Sequence, residues 1–192
     1  SELLSELIVI ITFVVIVLML LAPLVISIIA PGYDIALKKM TVTLTLIFLP
    51  GLIFSAVSSI YSTMINAFNK FSTPAIIELI TPILIVASLL LWGKEFGVYI
   101  FAWASLFGSI ITLLALSSVI RRLGMKFSFG INFKSDSFKE TFKLVTPFFA
   151  SAASSQAVVF FFCLITSFLV PGSLTILSYG EKICDLIFNI FV

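Results

Sequence analysis

The chain has 192 residues, of which 61% are hydrophobic and only 10% charged, against about 45 to 50% and about 25% in ordinary soluble domains. No water-soluble fold hides that much apolar surface, so an all-α, polytopic transmembrane helical bundle is expected. A net charge of +2 and the absence of histidine give no basis for nucleic-acid binding, and no cofactor or metal is expected.

A helix rises about 1.5 Å per residue and the hydrocarbon core is about 30 Å thick, so each span takes about 20 mainly apolar residues and this length holds about six. The first predicted span covers 7–29 and stops at Pro31-Gly32. The second, 41–66, carries Pro50-Gly51, a pair that removes a backbone hydrogen bond and permits a hinge. Its stripe of Ser55, Ser58, Ser62 and Asn66 reads as a close helix-packing face.

The third span, 74–92, contains Glu78 one turn in, and Pro82 beyond it as a further bending point. Glu78 either touches substrate or meets water at a vestibule; interfacial depth makes an ionised carboxylate affordable there. The turn residues Gly93 to Gly97 separate this span from the fourth, 96–120. A β-barrel would need alternating segments of about ten residues instead, and none is visible.

Residues 121–143 form the one long polar stretch, with Arg121, Arg122, Lys126, Lys134, Lys139 and Lys143 against Asp136 and Glu140. The positive-inside rule places it in the cytoplasm. Counting back, the Lys70 loop is also cytoplasmic, while the loops at Pro31-Gly32, Lys94-Glu95 and Pro171-Gly172 face outward. Alternating Phe127, Phe129, Ile131 and Phe133 suit a surface-lying, amphipathic linker between two lobes, whose chemistry reads as an ordinary basic loop.

The fifth span, 144–170, holds Pro147 near its start, Cys163, and Gln156, which is placed to hydrogen-bond between helices. Cys163 and Cys184 lie in apolar runs without metal-ligand spacing and read as small apolar fillers. The sixth, 173–192, is the exception in composition because it carries Glu181, Lys182 and Asp185. Charges in mid-span cost about 2.5 to 3.5 kcal/mol each on insertion scales, so they face a cavity or a partner.

At helical spacing, Thr175, Ser178, Lys182, Asp185 and Asn189 form one polar stripe, with Glu181 and Gly180 beside it. A simple Lys182–Asp185 pair would neutralise charge inside a bundle, but needs neither Glu181 nor the extension to Thr175 and Asn189. The stripe therefore reads as the lining of a hydrated cavity. Gly180 permits a bend or a close helix approach. The chain starts at Ser1 and ends inside the apolar run 188–192, as a fragment of a longer protein would.

Several ordered stretches carry a family resemblance: Ala30-Pro31-Gly32-Tyr33, Phe48-Leu49-Pro50, Ile65-Asn66-Ala67-Phe68-Asn69-Lys70-Phe71, Ser155-Gln156, Ser167-Phe168-Leu169 with Gly172-Ser173, and Tyr179-Gly180-Glu181-Lys182. Together they resemble the MurJ (MviN) lipid II flippases of the multidrug/oligosaccharidyl-lipid/polysaccharide exporter superfamily. The resemblance implies a two-lobe transporter: residues 1–120 as the third to sixth spans of an amino-terminal lobe, 121–143 as the linker, and 144–192 as the first two spans of the second lobe.

It further implies a bacterial inner-membrane flippase that moves a lipid-linked oligosaccharide between leaflets, driven by membrane potential or a coupling ion and surrounded by membrane lipids. Lys182 would bind the substrate diphosphate, standing where an arginine is usual, which keeps the charge and loses bidentate geometry. Asp185 would position the substrate or take part in gating. Glu181, Ser178, Asn189 and Gln156 complete the expected substrate-binding set, and Pro50, Gly51 and Gly180 the hinge set. A polysaccharide, O-antigen or multidrug exporter of the same superfamily is one alternative, and an inactive cell-envelope scaffold another. No glycine loop of the Walker type is present, and a transporter rather than an enzyme is expected.

Overall fold

The computed structural model describes residues 2–124, 136–169 and 172–191, and no strand occurs among them. Their helices are α1 (Glu2–Ile29), α2 (Ile35–Ala67), α3 (Ser72–Glu78), α4 (Ile80–Phe96), α5 (Val98–Arg122), α6 (Asp136–Thr166) and α7 (Ser173–Phe191). Among the described residues, five stretches are long and apolar enough to cross a membrane: Ser5–Ile29, Ile35–Ala67, Ser72–Phe96, Val98–Arg122 and Pro147–Thr166. The stretch expected as the sixth span folds as the 19-residue helix α7, which carries the charged residues Glu181, Lys182 and Asp185 and is not among those five.

Where the helix ends differ from expectation, capping and proline chemistry account for it. α2 starts at Ile35 rather than near residue 41 because Asp34 caps it, its Oδ1 accepting the Leu37 N–H at 2.8 Å. Lys38 and Lys39 are thereby drawn into the first turns, and the Lys38 ammonium donates to the Pro31 carbonyl at 3.1 Å. Replacing Asp34 by Ala is expected to cost about 1 kcal/mol and to speed amide exchange at Leu37 without changing exchange in the middle of α2.

The third expected span is one apolar stretch broken at Leu79. Pro82 has no N–H for the Glu78 carbonyl, and its ring crowds that oxygen. The chain responds with a local tightening in which the Leu79 N–H reaches the Ile76 carbonyl at 3.3 Å. Pro23, Pro50 and Pro147, by contrast, lie inside uninterrupted helices, as membrane helices tolerate when neighbouring groups satisfy the freed backbone.

α6 begins at Asp136, inside the segment read as linker; Phe127, Phe129, Ile131 and Phe133 lie outside the described residues. α4 continues through Gly93 and Lys94 and stops only at Gly97, whose φ of 56° lies in the left-handed region that glycine enters without steric cost. One residue therefore joins α4 to α5.

Packing divides the chain into two compact units, Ser1–Ala22 with Val42–Lys139 and Pro23–Thr41 with Glu140–Val192. Within the first, α4 and α5 form an antiparallel hairpin about Gly97: the Thr81 and Thr112 hydroxyls meet at 3.1 Å, and Gly108 lies against Thr81. α2 runs parallel to α5. Phe48 meets Phe101 edge-on at 5.5 Å, Gly51 lies beside Leu106 and Ser109, and Ile65 packs with Leu116 and Ile120 in a fully buried core.

That register places Lys70, Arg121 and Arg122 at one end of the unit and Lys94 with Glu95 at the other. Three basic residues thus gather at one end, while at the other Lys94 adjoins Glu95, an asymmetry of the kind that sets orientation in a bilayer. The outward faces are apolar, with Leu20 77% and Leu90 81% exposed, as a surface solvated by lipid requires.

In the second unit, the turn after α1 lies against the end of α6. The Gly32 N–H faces the Ser167 hydroxyl at 3.4 Å, and the Ser167 hydroxyl itself donates to the Leu164 carbonyl at 2.8 Å. Thr166 and Ser167 are both buried.

Candidate functional site

α7 carries the polar stripe on a continuous helix, so the expected spacing of Ser178, Lys182, Asp185 and Asn189 is realised in the backbone. Gly172, with φ of 98°, turns the chain into this helix, and its carbonyl accepts the Ile176 N–H at 3.1 Å. Ser178 is half-buried and Lys182 is exposed. The Lys182 ammonium lies 5.9 Å from the centre of the Tyr179 ring, at the outer limit of a cation–π contact. The side chains of Glu181, Asp185 and Asn189 lie outside those described.

Gln156 is exposed on α6. A Cβ on Gly180 would meet nothing within 4 Å among the described residues. α2 passes unbroken through Pro50 and Gly51. A Cβ on Gly51 would lie 3.5 Å from the Ser109 Oγ and 3.7 Å from the Leu106 Cδ1, which is ordinary van der Waals spacing.

The structure also assembles a site that the sequence reading left in pieces. Ser55, Ser58 and Ser59 of α2, Glu78 at the end of α3, Thr81 of α4, and Ser105, Ser109 and Thr112 of α5 line one cleft of about 380 Å³. Ser55 and Ser58, two members of the stripe expected to serve close packing, also line this polar space, whereas Ser62 and Asn66 do not. Ser105, Ser109 and Thr112 went unremarked, although their i, i+4, i+7 spacing is a helical face. Another residue passed over is Glu6 near the start of α1, which is fully buried.

Comparison with known proteins places the chain in context. A family model described as the lipid II flippase MurJ matches residues 1–192. Two similar relatives are probable lipid II flippases MurJ from Buchnera aphidicola: 24% identical over 160 residues in the subspecies Schizaphis graminum, and 22% over 160 residues in Acyrthosiphon pisum. In each case 81% of this chain and 31% of the relative are covered. A solved structure, a lipid II flippase MurJ in an inward closed conformation, superposes with a TM-score of 0.80 at 26% identity, covering 98% of this chain and 40% of the other. The chain thus spans about a third of the length of the curated relatives it matches.

Proposed function

The chain belongs to the lipid II flippase MurJ family, and from that premise we propose that it forms part of a flippase carrying an undecaprenyl-diphosphate-linked headgroup from the cytoplasmic to the outer leaflet. The family match and the shared fold favour this reading over the exporter and scaffold alternatives. The chain is a multi-pass membrane protein of a transport family. Its seat would be the bacterial inner membrane, where such substrates are assembled.

Residues 1–120 would supply four spans of the amino-terminal lobe, 121–143 the cytoplasmic linker, and 144–192 the first two spans of the second lobe. The substrate headgroup would bind against the polar stripe of α7. Lys182 meets the diphosphate as a compact point charge, Asp185 orients it, and Glu181, Ser178, Asn189 and Gln156 hydrogen-bond around it. Pro50, Gly51 and Gly180 would absorb backbone change as the lobes rock.

One observation carries this assignment: Lys182, on the polar stripe of α7, is exposed. A hydrogen bond to a charged group is worth about 1.5 to 3 kcal/mol, so Lys182→Ala in the full-length protein should slow translocation of a lipid-diphosphate substrate in vesicles by at least about tenfold. Lys182→Arg should recover most of the rate. Wild-type transport by the alanine variant would remove Lys182 from the substrate site.

A further inference from the structure

We propose that the cleft between α2, α4 and α5 binds a hydrated monovalent cation, with Glu78 supplying the matching charge. The site draws on none of the α7 residues, and the inference holds whether or not Lys182 binds diphosphate.

Ligand chemistry narrows the occupant. Every side chain lining the cleft ends in oxygen: seven serine or threonine hydroxyls and the single carboxylate of Glu78. Hydroxyl and carboxylate oxygens are hard donors that suit hard cations. One carboxylate balances one positive charge. A divalent ion would carry one charge more than this carboxylate balances, and an anion would be repelled by Glu78.

Burial shows that the floor is built for a polar guest. Ser58, Ser109 and Thr112 are each at most 7% exposed, whereas Ser55, Ser59 and Glu78 lie at the exposed rim. The Ser109 hydroxyl donates to the Leu106 carbonyl at 2.8 Å, and Thr112 pairs with Thr81. The Ser58 Oγ is buried and has no hydrogen-bond partner. Buried hydroxyls in native proteins are almost always satisfied, by protein, by ordered water or by a bound ligand.

Loose packing does not account for the space. Beside it, a Cβ on Gly108 would come within 2.9 Å of the Thr81 Cγ2, so α4 and α5 touch as closely as their backbones permit. The polar space lies beside this tight contact. With a share of about 30 Å³ per water, the cleft accommodates an ion together with several of its waters.

The experiment uses the full-length protein in nanodiscs, with hydrogen–deuterium exchange followed in sodium, potassium or choline chloride at equal ionic strength. Sodium or potassium should slow exchange at least about threefold, relative to choline, in peptides covering 55–59, 76–83 and 105–112; the arm that does so identifies the ion. Glu78→Gln should abolish that protection, and Ser58→Ala, which leaves the helices unstrained, should raise the cation concentration for half protection at least about fivefold. Lys182→Ala should leave it unchanged. Identical exchange in all three salts, or protection that survives both Glu78→Gln and Ser58→Ala, would overturn the proposal, the first outcome marking the cleft as a water-filled void.

Discussion

Replacing Gly108 by leucine is expected to prevent the α4–α5 hairpin from closing and to leave little folded protein. A Cβ at this position would sit 2.9 Å from the Thr81 Cγ2, 3.0 Å from the Thr81 Cα and 3.1 Å from its Oγ1. The methyl could rotate aside, but the Cα belongs to the α4 backbone, so the helix itself has to move. Movement there also separates the Thr81 and Thr112 hydroxyls and loosens the Ser109 face. Overpacking by single methylenes already costs about 1 to 3 kcal/mol, so leucine, with four side-chain carbons, is placed above that range.

Graded variants test this. Gly108→Ala should lower stability by about 1 to 3 kcal/mol, and Thr81→Ser should recover part of the loss by removing Cγ2 while the α4 backbone stays as close as before. Gly51→Ala is the control: its Cβ would meet neighbours at 3.5 to 3.9 Å, and a change within about 0.5 kcal/mol is expected. Thermal midpoints in detergent, with size-exclusion recovery, read all four. A Gly108→Leu protein with the wild-type midpoint would show that α4 and α5 are not held at this separation.

The spans were legible because hydropathy and turn chemistry act locally. Gly97 falls at the end of the stretch marked by Gly93 to Gly97, and a positive φ at that position is a property of the residue itself. Helix starts were less legible: Lys38 and Lys39 look like loop residues until Asp34 is recognised as a cap reaching Leu37. The break at Leu79 follows from Pro82, yet Pro23, Pro50 and Pro147 break nothing. What distinguishes them is tertiary surroundings, which a linear reading lacks.

The polar stripe of α7 was visible as periodicity, since all its members share one helix. The cleft was not, because its hydroxyls come from separate helices and each reads alone as a packing residue. Ser58 illustrates the difference: serine at helical spacing usually marks close approach, and only the positions of Ser109, Thr112 and Glu78 turn it into a wall of a cavity. Glu78, which by sequence faced either substrate or water, acquires a specific setting from the same neighbours.

A valine at position 32 is expected to drive the turn after α1 away from the end of α6. Gly32 accepts no Cβ here, since the added carbon would collide with the Ser167 carbonyl group and approach the Phe168 nitrogen at 3.0 Å. Those are backbone atoms, so no side-chain rotation relieves the clash, and a β-branched residue worsens it. The Gly32 N–H to Ser167 hydroxyl contact at 3.4 Å would be lost and Ser167, now 5% exposed, would be uncovered. In a background lacking Cys163 and Cys184, Ser167→Cys should react slowly with a membrane-impermeant maleimide, and adding Gly32→Val should raise that rate at least about tenfold, the change corresponding to about 1.4 kcal/mol of opening. If this turn is part of the outer closure of a flippase, the same variant should also favour outward-open protein and depress transport, while Gly32→Ala produces a smaller change of the same sign. Equal labelling with glycine and valine at position 32 would mean that the turn and α6 separate freely in the working protein and that their contact holds nothing shut.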